Sequence, residues 1–173
     1  MSQVGELLSE EAVARLVDEL ALRLAPRLPE DAVAVCLLTG GLWFAADLTR
    51  ALFRRGRDLD FDALWIASYG DGRRTSGAVE VRAGLQRPVK NRAVLLIDDV
   101  LDTGLSLKEA ARLLEAAGAR EVLTCVFARK PRGAVRHGEC DYAAWEAPDR
   151  YLAGYGMDLA GASRGRPNII ALD

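Results

Sequence analysis

Residues 94–107 read VLLIDDVLDTGLSL. Four apolar residues lead into two adjacent acids, Asp98 and Asp99. A third acid, Asp102, follows, and then Thr103, Gly104, Leu105 and Ser106. A short, unbroken apolar run that stops at a turn predicts a strand covered on both faces. Beyond the turn, Leu107, Ala110, Ala111 and Leu114 recur on one helical face, with Ser106 as the expected cap and Gly118 as the stop. A strand that passes through a small polar turn into a helix favours anions, because backbone N–H groups and the helix N-terminus converge there. Gly104 permits the tight bend. Singly, each acid reads better as structural, Asp98 and Asp99 solvating a strand end and Asp102 capping a helix. Three acids framing one phosphate-type turn point instead to a ligand.

The pattern repeats on either side. Residues 32–38 form another apolar run, broken by Thr39-Gly40-Gly41, and the spacing then predicts a helix over 42–53 that stops near Gly56. A strand is expected over 59–67, followed by the glycine-rich surface loop SYGDGRRTSG (68–77) and a returning strand from 79. Residues 121–127 give one more buried strand. Upstream, Ser9 is placed to cap a helix with Glu10 and Glu11 in its first turn; Val13, Leu16, Val17, Leu20 and Leu24 follow the helical period until Pro26. Alternating strands and helices predict an α/β fold: a parallel-rich twisted sheet with helices on both faces. After Lys130 the periodicity fades, so a small irregular C-terminal subdomain is expected within a single domain spanning 1–173. In such sheets ligands bind beyond the carboxyl ends of the strands. Thr39 to Gly41, Ser68-Tyr69, Asp98 to Ser106 and Lys130 all fall there.

Bulk properties exclude more than they assign. Half of the 173 residues are apolar and the formal net charge is −2, which gives no electrostatic reason to expect nucleic acid. No apolar stretch approaches the ~18–20 residues that span a bilayer, and the N-terminus lacks a signal-peptide pattern. Cys36, Cys125 and Cys140 are odd in number and form no C-x-x-C pair. With the lone His137 they make a poor metal set, and they read as reduced structural thiols of a cytoplasmic protein. A Walker loop is missing, and Gly70-Asp71-Gly72 lacks the third glycine and following helix of a dinucleotide fingerprint. A receiver domain also pairs acids at a strand end, but after its first strand rather than a later one.

With these residues in hand, the segment closely resembles the phosphoribosyl pyrophosphate signature of type I phosphoribosyltransferases: a hydrophobic strand, two acids, two apolar residues, then D-T-G-x-S/T. Resemblance to the hypoxanthine-guanine branch extends from about residue 32 to the end, through LLTGG, SYGDG, the signature, FARKP and DRYLAGYGMD. It implies a magnesium-dependent enzyme that joins a 6-oxopurine base to the ribose 5-phosphate of phosphoribosyl pyrophosphate. It further implies that Asp98 and Asp99 hold the ribose hydroxyls, that Asp102 is the general base, and that Thr103, Gly104, Leu105 and Ser106 cradle the 5′-phosphate. Lys130 would bond the exocyclic oxygen of the purine, an assignment that suits an ammonium with donors only. Tyr151 would stack on the ring, Leu152 would pair with the base edge through its backbone, and Asp158 would lie near Mg2+. Arg164 and the Thr39-Gly40 backbone would meet pyrophosphate, and the loop carrying Ser68 and Tyr69 would close as a lid. There is one departure: the branch usually carries a basic residue where this chain has Thr39, within a non-proline cis peptide. The resemblance also implies a homodimer or homotetramer. Two rivals share the fold, a transferase preferring xanthine or another base and a non-catalytic nucleotide sensor; Asp102 and the expected lid favour catalysis.

Overall fold

The computed structural model describes residues 5–68, 79–131 and 137–172. In chain order its elements are β1 (Gly5–Leu8), α1 (Glu10–Leu24), β2 (Val33–Leu38), α2 (Leu42–Phe53), β3 (Asp60–Ser68) and β4 (Val79–Ala83). There follow β5 (Ala93–Leu101), α3 (Leu105–Ala116), β6 (Glu121–Arg129), β7 (Tyr142–Glu146), β8 (Tyr151–Ala153) and β9 (Ile169–Leu172). The main sheet has the order β4-β3-β2-β5-β6-β7. Every neighbouring pair in it is parallel except β3 with β4.

The central strands are apolar throughout because both of their faces are covered. Along β2, Ala34 and Cys36 point into a core shared with Leu20, Leu24, Phe44 and Leu48 of α1 and α2. The alternate residues Val33, Val35 and Leu37 point the other way, into a second core with Leu107, Ala110 and Leu114 of α3. This period-two partition is what a sheet between two helical layers requires. The N-terminus of α1 forms as its sequence predicts, with Ser9 Oγ accepting from Ala12 N at 3.3 Å.

Three features depart from the sequence reading. Helix α3 is capped by Gly104, in a left-handed conformation (φ 78°), and not by Ser106, which lies inside the first turn. Strand β5 runs on to Leu101, so the paired acids belong to the strand rather than to the loop after it. The C-terminal region is more regular than its sequence suggests: β7 extends the main sheet, and β8 and β9 join β1 in an antiparallel sheet of order β1-β9-β8. Strand β1, only four residues long, has no periodicity to advertise it; it forms because β9 supplies its partners, as in Glu6 with Ile170.

Candidate active site

The ends of β2, β5 and β6 deliver residues that meet at the main sheet's carboxyl edge, and the segment from β8 onward faces them. From β2 comes Gly40, whose absent side chain is essential to the packing, since a Cβ there would lie 1.9 Å from Asp99 Oδ2. The preceding Leu38–Thr39 peptide is cis. From β5 come Asp98 and Asp99, each accepting the N–H of the next residue: Asp99 N to Asp98 Oδ1 at 2.9 Å, Val100 N to Asp99 Oδ1 at 2.8 Å. These bonds fix both carboxylates against the backbone. Burial pushes the Asp98 carboxyl well above the usual carboxylate range, and the charge of Asp99 adds to that; burial likewise raises Asp99, against the pull of its hydrogen bonds and of Arg164. Two acids so placed resist being charged together and are poised for hydroxyl protons or a cation.

The turn that follows is shaped for an anion. Gly104 needs its positive φ and also its lack of a Cβ, which would approach the Gly138 carbonyl oxygen to 2.6 Å. The Thr103 carbonyl is held from the same side by the N–H of His137 at 2.7 Å. The first bond of the α3 ladder is Lys108 N to Gly104 O at 3.0 Å. The N–H groups of Ser106 and Leu107 precede that ladder and point out of the helix N-terminus.

From β6 comes Lys130, whose Nζ lies 3.2 Å from Asp102 Oδ2. The lysine side chain is 13% exposed and its partner's 64%, so the ammonium is set in the wall while the carboxylate reaches into the cleft. The far wall is the segment from β8 to Arg164. Tyr151, 51% exposed, donates its phenol to the Asp158 carbonyl at 2.9 Å. Asp158 Oδ1 accepts from Arg164 Nη2 at 2.9 Å and Oδ2 from Gly161 N at 2.8 Å.

These residues enclose two adjoining cavities. One, of about 310 Å3, runs from Leu38 and Gly40 over Asp98 and Asp99 to Ser106, with Asp158 and Arg164 opposite. The other, of about 180 Å3, lies between Lys130 and Tyr151 with Leu152 and Met157 behind. Asp99, Val100, Asp102 and Asp158 border both.

A phosphoribosyl transferase domain model matches residues 3–158. The chain belongs to the phosphoribosyltransferase family. Within it, the chain is 36% identical to the hypoxanthine-guanine phosphoribosyltransferase of Aquifex aeolicus over 96% of its own length and 93% of the relative's. It is 31% identical to the Bacillus subtilis enzyme of the same name, over 94% and 89% of the two chains. The crystal structure of a Staphylococcus aureus hypoxanthine phosphoribosyltransferase superposes with a TM-score of 0.90 at 28% identity, covering 98% of this chain and 91% of that one. The family's α/β fold, expected from alternating strands and helices, is therefore the fold of this transferase.

Of the residues singled out from the sequence, Gly40, Asp98, Asp99, Asp102, Thr103 to Ser106, Lys130, Tyr151, Leu152, Asp158 and Arg164 all border one cavity or the other. Thr39 does not: it is exposed and lies beside the lining formed by Leu38 and Gly40. Ser68 ends β3, and Tyr69, with the rest of the expected lid, lies outside the described residues. Sequence reading passed over Met157, Gly156 and Asp62. Gly156 abuts the Gly40 carbonyl, where a Cβ would come within 2.0 Å. Asp62 is buried and accepts the N–H groups of Gln86 and Arg87 at 2.8 and 2.7 Å, which anchors the chain after β4. Only an acid inside an otherwise apolar strand, the second aspartate of the run DFDALWIAS, could have signalled it.

The cysteines are free and buried. Burial pushes the Cys36 thiol up to about 12, with Asp98 and Asp99 adding to the effect. A thiol this hard to ionise is a poor nucleophile and belongs to the packing. Among the described residues no helix is long and apolar enough to cross a membrane.

Proposed function

We propose that this enzyme transfers the 5-phosphoribosyl group of phosphoribosyl pyrophosphate to hypoxanthine or guanine, releasing pyrophosphate and a purine nucleoside monophosphate. The observation that carries the proposal is the pair of adjoining cavities sharing Asp99, Asp102 and Asp158. The larger has an anion turn and a diol-sized pair of acids, and the smaller has an ammonium beside an exposed aromatic ring. Two substrates that must react need such a common border.

The ribose would lie over Asp98 and Asp99, carboxylates able to accept both of its hydroxyl protons. Its 5′-phosphate would sit on the N–H groups and hydroxyls of Thr103 to Ser106. The purine would lie against Tyr151 with its edge on the Leu152 backbone and its 6-oxygen on Lys130. Seating it there loosens the Lys130–Asp102 ion pair, turning the ammonium to the carbonyl oxygen and leaving Asp102 to take the imidazole proton. As the anomeric C–O bond breaks, positive charge develops on the ribose and negative charge on the departing pyrophosphate. Arg164 and the Thr39-Gly40 backbone meet that negative charge.

Magnesium suits the donor set. The acids are hard oxygen ligands, and Asp158 borders both cavities with lone pairs beyond those used by Arg164 and Gly161. No group of three or more potential metal ligands exists among the described residues, so the ion would be held chiefly by substrate oxygens and water, with Asp158 as the protein's contribution. When bound it would neutralise charge on the leaving group. A water-excluding role for the segment 68–77, which beyond Ser68 lies outside the described residues, a cytoplasmic setting and a homo-oligomeric state complete the proposal.

The test is one assay: protein, magnesium, phosphoribosyl pyrophosphate and each of five free bases. Inosine or guanosine monophosphate should form fastest; turnover confined to another base, or to none, refutes the proposal.

A further inference from the structure

The wall segment between β8 and Arg164 contains a construction the proposed chemistry does not use. Gly154, Tyr155 and Gly156 all have positive φ, at 101°, 48° and 97°. The two glycines adopt such angles without cost; a tyrosine does not and must be held there. Tyr155 is 5% exposed, and its ring stands edge-on to Phe127 at 5.0 Å. Its phenol donates to Asp47 Oδ2 at 2.9 Å, while Asp47 Oδ1 pairs with Arg50 at 3.0 Å on the surface. Burial, and the charge of Asp47, hold the phenol far above its usual pKa, which favours the donor form.

What this bond joins is specific. Asp47 lies on α2, directly beyond the Thr39-Gly40 turn. The residue after Tyr155 is Gly156, packed on the Gly40 carbonyl. The Gly156 carbonyl accepts from Arg164 Nη1 at 2.6 Å, and Arg164 holds Asp158. The phenol therefore ties the Asp158–Arg164 pair to α2, the helix that follows the turn containing Gly40. The smaller cavity shares Asp158 with the larger but has further support of its own: Tyr151 and Leu152 sit on β8, laddered to Leu172 and Ala171 of β9, and Lys130 and Asp102 belong to the end of the main sheet and its turn.

We propose that Tyr155 is a positioning residue for the pyrophosphate side of the cleft, acting through its hydrogen bond to Asp47. The inference rests on the reaction proposed above. It is tested with Tyr155→Phe, Asp47→Ala, Asp47→Asn, the Phe/Ala double variant and Arg50→Ala, each assayed for both KM values, for calorimetric binding of phosphoribosyl pyrophosphate with magnesium, and for Tm. Loss of one buried hydrogen bond predicts roughly three- to tenfold weaker phosphoribosyl pyrophosphate binding in Tyr155→Phe and in Asp47→Ala, with the KM for hypoxanthine within about twofold of wild type. The double variant should be no worse than either single one. Asp47→Asn, which keeps an acceptor oxygen, should restore binding, and Arg50→Ala should leave it unchanged. Equal losses for both substrates, unchanged binding in Tyr155→Phe, or an Asn variant as weak as the Ala variant would overturn the assignment. Wild-type protein that binds phosphoribosyl pyrophosphate but does not turn over hypoxanthine refutes the proposed reaction alone, since the calorimetry still reads the tie. Wild-type protein that does not bind it refutes both.

Discussion

Along the floor of the cleft, Asp98 to Ser106 are consecutive in the chain, and their neighbours set their geometry. Each acid accepts the next N–H, and Gly104 bends the backbone into α3. Across the cleft, the wall from Tyr151 to Arg164 is held by residues outside it, some from the N-terminal part of the chain. Strand β8 leans on β9, β9 on β1, and Tyr155 on Asp47, 108 positions away. Floor chemistry is thus written into a short run of sequence, whereas the wall's orientation is a property of the whole fold. A defect in the floor should abolish a chemical role; a defect in the wall should misplace one.

The largest effect should come from the floor. Asp102→Asn keeps the shape and removes the proposed base, so kcat should fall by ~10²–10⁴ while phosphoribosyl pyrophosphate binding changes little. A steady-state rate near wild type would remove Asp102 from the mechanism. Next, Gly104→Ala forces a side chain into a left-handed residue facing the Gly138 carbonyl. It should cost about 1–3 kcal/mol in stability and weaken phosphoribosyl pyrophosphate binding at least ~10-fold, read by denaturation and calorimetry.

The base side of the comparison is sharpened by Lys130→Ala. Losing a charged hydrogen bond should raise the KM for hypoxanthine ~10-fold or more, with a much smaller change for phosphoribosyl pyrophosphate. Deleting residues 1–8 removes β1 and its ladder to β9 without touching either cavity directly. The KM for the base should rise a few-fold, roughly the effect of loosening β8 by ~1 kcal/mol, and activity should persist. Unchanged kinetics would show that β9 holds β8 without β1.

The smallest expected change has the opposite sign for stability. The Asp98 carboxyl is raised by burial and by its neighbour, so the fold opposes its ionisation. Below the ordinary carboxylate value near ~3.9 the group costs nothing. As pH rises from there through the raised folded value, stability is lost, and the loss is complete only once pH has passed that folded value. Asp98→Asn escapes it and should raise Tm at pH 7 by about 2–4 °C while weakening phosphoribosyl pyrophosphate binding. Phosphoribosyl pyrophosphate affinity of the wild type should fall as acid protonates the pair.

The same contrast explains what the sequence disclosed. Buried strands announce themselves as apolar runs, and the acids, glycine and hydroxyls of the floor are adjacent, so the turn was legible down to its residues. Its cap was not: Ser106 has the better capping side chain, but the close approach of Gly138 and the bend itself need Gly104 at that position. The wall was readable only through the resemblance of DRYLAGYGMD to its family. Strand β1 has too few residues for a period, and the tie from Tyr155 to Asp47 has no local signal, because both residues look like ordinary members of their segments. Thr39 was expected at pyrophosphate; it is exposed and outside the cavity lining, to which its neighbours Leu38 and Gly40 contribute.

A crystal structure of the enzyme grown with inosine monophosphate tests most directly the claim that both substrates share one border. The phosphate should lie within about 2.7–3.2 Å of N–H groups in the turn from Gly104 to Leu107, the ribose hydroxyls on Asp98 and Asp99, and the purine ring between Tyr151 and Lys130. Ordered nucleotide with its phosphate away from that turn would contradict the account.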